Sequence, residues 1–410
     1  MGGTIVGIDV GTTKICTLVG EVDDDDRLRI VGVGVVPSRG LRKGVVVGVE
    51  EAAAAIAASI EKAERMSGYK IESAYVGVAG SHISSINTRG VIAIGRGDRP
   101  IGPEDVERAM EAARAVAVPH NREIIHAIPR SFSLDEQEGV RDPIGLMGFR
   151  LEVEAHIVTG ATTSLRNLAN CVLQAGVGVT AMVLQPLASA EAVLRPDERE
   201  MGVVLVDAGG GTVDVAIFIE GSIWHSLVLP IGGNHITNDI AIGLRIPFDQ
   251  AEELKRQYGH ALPEAVDPEE VVDVGGFGQG PGRLVSRQEL ATIVEARTAE
   301  MFEMILREIK RSGYDGLLPA GVVLTGGTAE LEGIVTLGQR VLGLPVRVGT
   351  PVEIEGLSET IGGPAYATGV GILLWGLRQD REPVRGRDRD RGKGDGYQKF
   401  LNWLKEFLPR

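Results

Sequence analysis

Cysteine is nearly missing from this chain of 410 residues: Cys16 and Cys171 stand far apart, each within an apolar run. There is no Cys-x-x-Cys pair and no Cys/His metal spacing, and the seven histidines are scattered, so reduced, buried thiols of a cytosolic protein are expected. No apolar run approaches the ~18 residues that a membrane-spanning helix needs, which excludes a spanning segment but not one lying on a membrane. The opening "TIVGIDV" has neither a basic stretch nor a long apolar core, so no signal peptide is expected. Positive charge is also short. With 42 Lys and Arg against 56 Asp and Glu the net charge is −14, which argues against nucleic acid as the main partner.

The shortages are uneven. Residues 378–410 hold ten Lys/Arg and six Asp/Glu, a net of +4, which leaves 32 against 50, or −18, for the rest. Aromatics are scarce at 4%, yet Tyr397, Phe400, Trp403 and Phe407 crowd the last 14 residues. On a helical wheel Tyr397, Phe400, Leu401, Leu404, Phe407 and Leu408 fall on one face at i, i+3, i+4, i+7, i+10 and i+11. Trp403 lies near the edge of that face, and Lys399, Lys405 and Arg410 can reach phosphates. This is the pattern of a helix lying in a membrane interface, with self-docking and partner binding as alternatives. The preceding "RQDREPVRGRDRDRGKGDG", 378–396, has almost no apolar side chains and reads as a disordered linker.

Glycine, by contrast, is plentiful, at 56 residues. The length calls for two or more domains. A meander of short strands ("TIVGIDV", "KICTLVGEV", "LRIVGVGVV") opens the chain, followed by a helix rich in Ala and Glu and the strand "SAYVGVAG". Residues 83–160 break that rhythm with longer strands around one helix that begins at Pro103, and read as an α+β insertion. A second meander begins at "GVVLVDA". The longest helix starts at Ser286, with Glu289 at capping-box spacing and Gly313 as its stop.

Two stretches resemble each other, "VGIDVGTTK" at 6–14 and "VLVDAGGGT" at 204–212. Each is an apolar strand ending in Asp, a turn of small residues and the start of a second strand. Aligning Asp9 on Asp207 pairs Gly11 with Gly209, which implies a duplicated domain. Glycine turns let backbone N–H groups approach a phosphate; Thr12, Thr13 and Thr212 add hydroxyls and Lys14 a charge. Asp9, Asp207 and Asp214 can hold Mg²⁺ through its waters and orient an attacking water. A bare Gly-Gly-Gly arises about once by chance at this glycine content, so the matched pair carries the argument. A third loop, "LTGGTAEL" at 324–331, suits a flat ligand.

These motifs resemble the two phosphate loops and the adenosine loop of the actin-like ATPase superfamily, and "LQPLASAEAVL" resembles the helix joining its halves. Within it, "VAGSHISSINTRGVIAI" and "REIIHAIPRSFSLDEQEGVRDPIGLMGFRLEVEAHIVTG" look like the FtsA family of cell-division proteins, over roughly residues 1–377. The resemblance implies a duplicated, ribonuclease-H-like two-lobe α/β fold. Its first lobe would comprise 1–82, 161–195 and 358–377, the insertion 83–160, the second lobe 196–235 and 300–357, and a small outer subdomain 236–299, followed by the linker 378–396 and the amphipathic helix 397–410. It assigns Gly11, Thr12, Thr13 and Lys14, with Gly209, Gly210, Gly211 and Thr212, to the phosphates of ATP. Asp9 and Asp207 would hold Mg²⁺ through water, with Asp214 beside them, and Gln185 would orient the water. Gly233 would bind the nucleotide, Glu252 and Lys255 would reach base and ribose, and Gly326, Gly327 and Thr328 adenosine. Arg297 would pair with the acidic C-terminal peptide of FtsZ. Hydrolysis is expected to be weak or slow at most. The implied partners are further copies in a head-to-tail filament, FtsZ, other division proteins and anionic lipids at the cytoplasmic face of the membrane. The rival readings are a PilM-like pilus-assembly scaffold, a sugar kinase or a seventy-kilodalton heat-shock chaperone; the pocket or peptide-binding domain that the last two need is not visible.

Overall fold

A computed structural model of the chain describes residues 3–23, 27–95, 99–115, 118–275, 283–352 and 355–381. The tail residues Lys399, Phe400, Leu401, Trp403, Leu404, Lys405, Phe407 and Leu408, and the linker from 382 on, lie outside the described residues.

The first sheet runs in the order Gly178–Leu184, Ser73–Val78, Thr4–Val10, Lys14–Val22, Leu28–Pro37 and Glu355–Gly356. The second runs Ser222–Leu229, Val213–Ile219, Val203–Ala208, Val322–Thr325 and Val346–Val348. In both, the first strand of a meander pairs antiparallel with the second and parallel with a later strand on its other side. The duplication expected from Asp9 and Asp207 is thus a duplication of topology. Thr4–Val10 is buried at every position after the first, as a strand covered on both faces must be. Helix Val49–Ser67 covers one face with Ala52, Ala55, Ile56, Ile60 and Ala63 and stops at Gly68, left-handed at φ 76°.

The lobes meet at two helices, Gln185–Val193 and Ala367–Arg381, which pack on each other. One apolar cluster spans the joint: Leu18 from the first sheet, Ala188, Ile372 and Leu373 from the helices, and Leu205, Ala216 and Val323 from the second sheet. Full burial of each Leu, Ile or Val side chain stabilises by roughly 1.5–3 kcal/mol, so the joint is a core in its own right. Ala367–Arg381 corrects one boundary. The linker was expected from residue 378, yet the helix continues through Arg381, and Arg378 pairs with Glu191, whose side chain is buried.

The insertion is an antiparallel sheet, Ile83–Ala93, Arg150–Ala161, Arg122–Leu134 and Gln137–Val140, backed by helix Pro103–Arg114. Its core is Val106, Met110, Phe132, Leu151, Val153 and Ile157. The fully buried Asp105 anchors the helix start, accepting from Gly102 N–H at 2.9 Å and pairing with Arg99 at 2.6 Å. The insertion leaves the first lobe but leans on the second. Ser85 Oγ donates to Ser226 O at 2.7 Å, Asn87 Nδ2 donates to Trp224 O at 3.1 Å, and buried His156 lies between Asn87 Oδ1 and Ser226 Oγ.

The long helix Arg287–Ser312 starts and stops at the residues the sequence marked. Ser286 accepts from Gln288 N–H at 3.2 Å, and Gly313 is left-handed at φ 78°. Its first half packs Leu290 and Val294 into the outer subdomain; its second half packs Met301, Phe302 and Ile305 into the second lobe.

Candidate functional site

The two Asp-ended strands finish side by side at the cleft between the lobes, and each turn closes with the same hydrogen bond. Gly11 N–H donates to Lys14 O at 3.1 Å, and Gly209 N–H donates to Thr212 O at 3.0 Å. The turns touch. A Cβ on Gly210 would lie 1.9 Å from Thr13 Oγ1, and one on Gly211 2.7 Å from Thr12 Oγ1, so only glycine lets them approach this closely. Lys14 Nζ sits 3.7 Å from the centre of the Tyr366 ring, a cation–π contact that holds the charge at the mouth of the first turn.

Three carboxylates lie beneath the turns, all buried. Asp9 Oδ1 accepts from Gln185 Nε2 at 3.0 Å. Burial pushes its carboxyl up to about 7, Lys14 opposing and Asp207 adding to the rise. Asp207 Oδ2 accepts from Ser189 Oγ at 2.5 Å and Thr368 Oγ1 at 2.9 Å. Burial also raises its pKa, against those two hydroxyls and Lys14. Asp214 stands opposite Asp207 in the strand register and is driven well above the carboxylate range by burial, then by Asp207. Thr212 Oγ1 donates to its Oδ2 at 3.1 Å, while its Oδ1 is buried without a partner. A cluster of raised carboxyls with an unsatisfied oxygen is electrostatically incomplete and suited to a cation. Among the described residues no three His, Cys, Asp or Glu are close enough together to ligate a metal ion directly.

The remaining cleft residues close around the second turn. Thr328 Oγ1 donates to Gly209 O at 3.0 Å, and Gly326, at φ +84°, has no Cβ where one would lie 2.5 Å from Asp207 Oδ1. Lys255 Nζ, its pKa lowered by burial, donates to Gly233 O at 3.2 Å, Thr237 Oγ1 at 2.8 Å and Glu252 Oε2 at 2.7 Å. The residues forecast for phosphate, cation, ribose and adenosine therefore form one contiguous site. Arg297 is elsewhere, on the long helix, held by Asp239 at 2.5 and 3.0 Å and by Glu300. Sequence reading missed Ser189, Thr368, Tyr366 and Thr237. Ser189 carried the one available signal, since it falls four residues after Gln185 on the same helical face.

Two family descriptions match the chain, "Cell division protein FtsA" over residues 204–371 and "SHS2 domain inserted in FTSA" over residues 80–159. The Cell division protein FtsA of Pseudomonas aeruginosa is 47% identical over 381 residues, 93% of this chain and 91% of that protein. That of Neisseria meningitidis is 40% identical, covering 97% of each, and that of Escherichia coli K12 is 38% identical, covering 91% and 90%. Among solved structures, the PilM-PilN type IV pilus biogenesis complex aligns with a TM-score of 0.66 at 16% identity, covering 91% of this chain and 98% of that one. MreB5 of Spiroplasma citri bound to ADP aligns at 0.54 and 14%, covering 92% and 98%. At such identities the likeness speaks for the actin-like fold alone.

Proposed function

The chain belongs to the FtsA family of cell division proteins, and from that premise we propose that it is an ATP-binding filament protein that tethers FtsZ to the cytoplasmic face of the membrane. The observation that carries the nucleotide part is the pair of turns with the same closing hydrogen bond, brought into contact above three buried carboxylates. The turns Gly11–Lys14 and Gly209–Thr212 bind the β- and γ-phosphates through N–H groups other than those of Gly11 and Gly209, which close the turns, with Lys14 supplying charge. Asp9, Asp207 and Asp214 would hold Mg²⁺ through its waters, and the ion would supply charge that neutralises the phosphates. Gln185, one hydrogen bond from Asp9, orients a water for slow hydrolysis. Glu252 and Lys255 take the ribose and base side, and Gly326, Gly327 and Thr328 cover adenosine.

MreB5, a structural neighbour of the same fold, is a solved complex with ADP, which agrees with the nucleotide reading without locating its site here. In this reading Arg297 on the outer subdomain offers FtsZ's acidic tail a guanidinium now shared with Asp239 and Glu300, and the insertion receives other division proteins. Among the described residues no helix is long and apolar enough to cross a membrane. In this reading attachment is made by Phe400, Leu401, Trp403, Leu404, Phe407 and Leu408 with Lys399 and Lys405, on the strength of their sequence pattern. One short interfacial helix binds reversibly, and a filament that links many of them gains ~10²-fold or more in avidity.

The test is co-sedimentation with anionic vesicles plus ATP, comparing the full chain with one stopping at Lys393, alongside calorimetric titration of Mg–ATP. Only the full chain should pellet, and both should bind nucleotide. Equal pelleting sinks the tether; absence of nucleotide binding sinks the cleft assignment.

A further inference from the structure

Two buried hydroxyls at the joint between the lobes converge on a single atom. Ser189, fully buried on helix Gln185–Val193, and Thr368, on helix Ala367–Arg381, both reach Asp207 Oδ2, at 2.5 and 2.9 Å, and stand 3.0 Å from each other. A hydroxyl carries one proton. With both protons directed at Asp207, one oxygen accepts two hydrogen bonds, from two different helices, so that losing either hydroxyl loosens its hold. The other oxygen, Oδ1, lies toward Gly326, where the lack of a side chain leaves it room. One oxygen is thus fixed by the joint and the other is turned to the adenosine-side loop.

The helix that supplies Ser189 also holds the other lobe's carboxylate. Gln185 donates to Asp9 Oδ1 at 3.0 Å, and Gln185 and Ser189 are four residues apart, on one face of the same helix. Asp9 ends a strand of the first lobe and Asp207 one of the second. One turn of one helix therefore sets the positions of both.

We propose that Ser189 and Thr368 are positioning residues for the cation of a bound nucleotide. They lock Asp207 in one rotamer, and through the Gln185–Ser189 face they hold the two lobes' carboxylates at a fixed separation, so that the hydration shell of Mg²⁺ meets both at once. The inference rests on the Mg–ATP reading above and concerns which residues make the cation site depend on the joint.

The experiment measures ATP affinity of the full-length chain by calorimetry, once with Mg²⁺ and once in a chelator, for the parent, Ser189→Ala, Thr368→Ala, Thr368→Ser and the double alanine variant. Thermal melting of each without nucleotide reports on folding. The gain in affinity that Mg²⁺ confers on the parent should fall about 10-fold in either alanine variant, the order expected for losing a hydrogen bond to a charged group. Affinity in chelator should stay within about twofold. Thr368→Ser, which keeps the hydroxyl, should restore the gain. The double variant should lose little more than either single one, because both hydroxyls hold the same oxygen. If the alanine variants lose affinity equally with and without Mg²⁺, or if Thr368→Ser fails to rescue, the hydroxyls only support packing and the proposal is overturned. An unchanged Mg²⁺ gain in both variants overturns it as well. A parent that binds ATP with no gain from Mg²⁺ overturns the cation reading of the carboxylates and this proposal together, an outcome distinct from a parental gain that survives Ser189→Ala.

Discussion

The two halves of the duplication share a backbone and divide the chemistry. In the first lobe the turn closes from Gly11 to Lys14 and in the second from Gly209 to Thr212, at 3.1 and 3.0 Å. The strand registers pair Asp9 with Cys16 in the first and Asp207 with Asp214 in the second. The first lobe therefore sets one carboxylate beside a neutral thiol and an ammonium; the second sets two carboxylates together, with Thr212 at the position equivalent to Lys14. Cys16 stays a thiol, its pKa pushed up to about 12 by burial and by Asp9, with Lys14 opposing. A cleft made from two copies of one hairpin thus presents positive charge from one side, suited to phosphates, and negative charge from the other, suited to a cation. Duplication supplied the geometry, and divergence at the residues equivalent to 14 and 16 supplied the polarity.

Erasing that asymmetry should have the largest effect. Cys16→Asp would give the first lobe the second lobe's carboxylate pair in a fully buried position, and should destabilise the apo chain by about 3–5 kcal/mol, the usual penalty for an uncompensated buried charge. Denaturant unfolding measures it, and a change near zero would mean that Lys14 compensates a second acid, against the division proposed. Next, Gly210→Val would force the two turns apart, since its Cβ alone would stand 1.9 Å from Thr13 Oγ1. A cost of about 1–3 kcal/mol corresponds to roughly 5- to 150-fold weaker Mg–ATP binding by calorimetry; full affinity would show that nucleotide binds with the turns already separated.

Per unit of pH, the smallest expected effect is a slope in stability. Asp9 carries a carboxyl raised from 3.8 to about 7 in the folded chain. Between those values the folded form keeps a proton that the unfolded form has released, so this group's contribution falls as pH rises through the window and is constant above it. Asp9→Asn should remove a slope of up to ~1.4 kcal/mol per pH unit from apo stability. Half-buried His82 and buried His126 and His156 have lowered pKa values and act in the opposite sense, so the difference between variant and parent is the quantity to measure. No difference between pH 4 and 7 would place Asp9 in the ordinary carboxylate range.

Much of this was legible in the chain. Strands, helices and the inserted region follow from apolar period and glycine punctuation, and Asp9 and Asp207 were marked by ending similar strands. Ser286 and Gly313 marked the limits of the longest helix because caps are local chemistry. The linker start was misread because Arg378–Arg381 looks solvated in sequence, whereas Arg378 is drawn onto Glu191, far away in the chain. The two hydroxyls on Asp207 had no motif to announce them, since Ser and Thr inside helices are commonplace and only the crossing of two helices makes them partners. The same holds for the seam where Ser85 and Asn87 meet Ser226 and Trp224, more than a hundred residues on.

By itself, the sequence determined the elements, the duplication and the types of group at the strand ends, because periodicity, capping and turn chemistry act over a few residues. Only the tertiary structure decided which carboxylate is held by which hydroxyl, that Lys14 rests on Tyr366, and that the insertion spans from one lobe to the other. Those contacts join positions with no sequence relation, and they form only when burial has removed water as the competing partner.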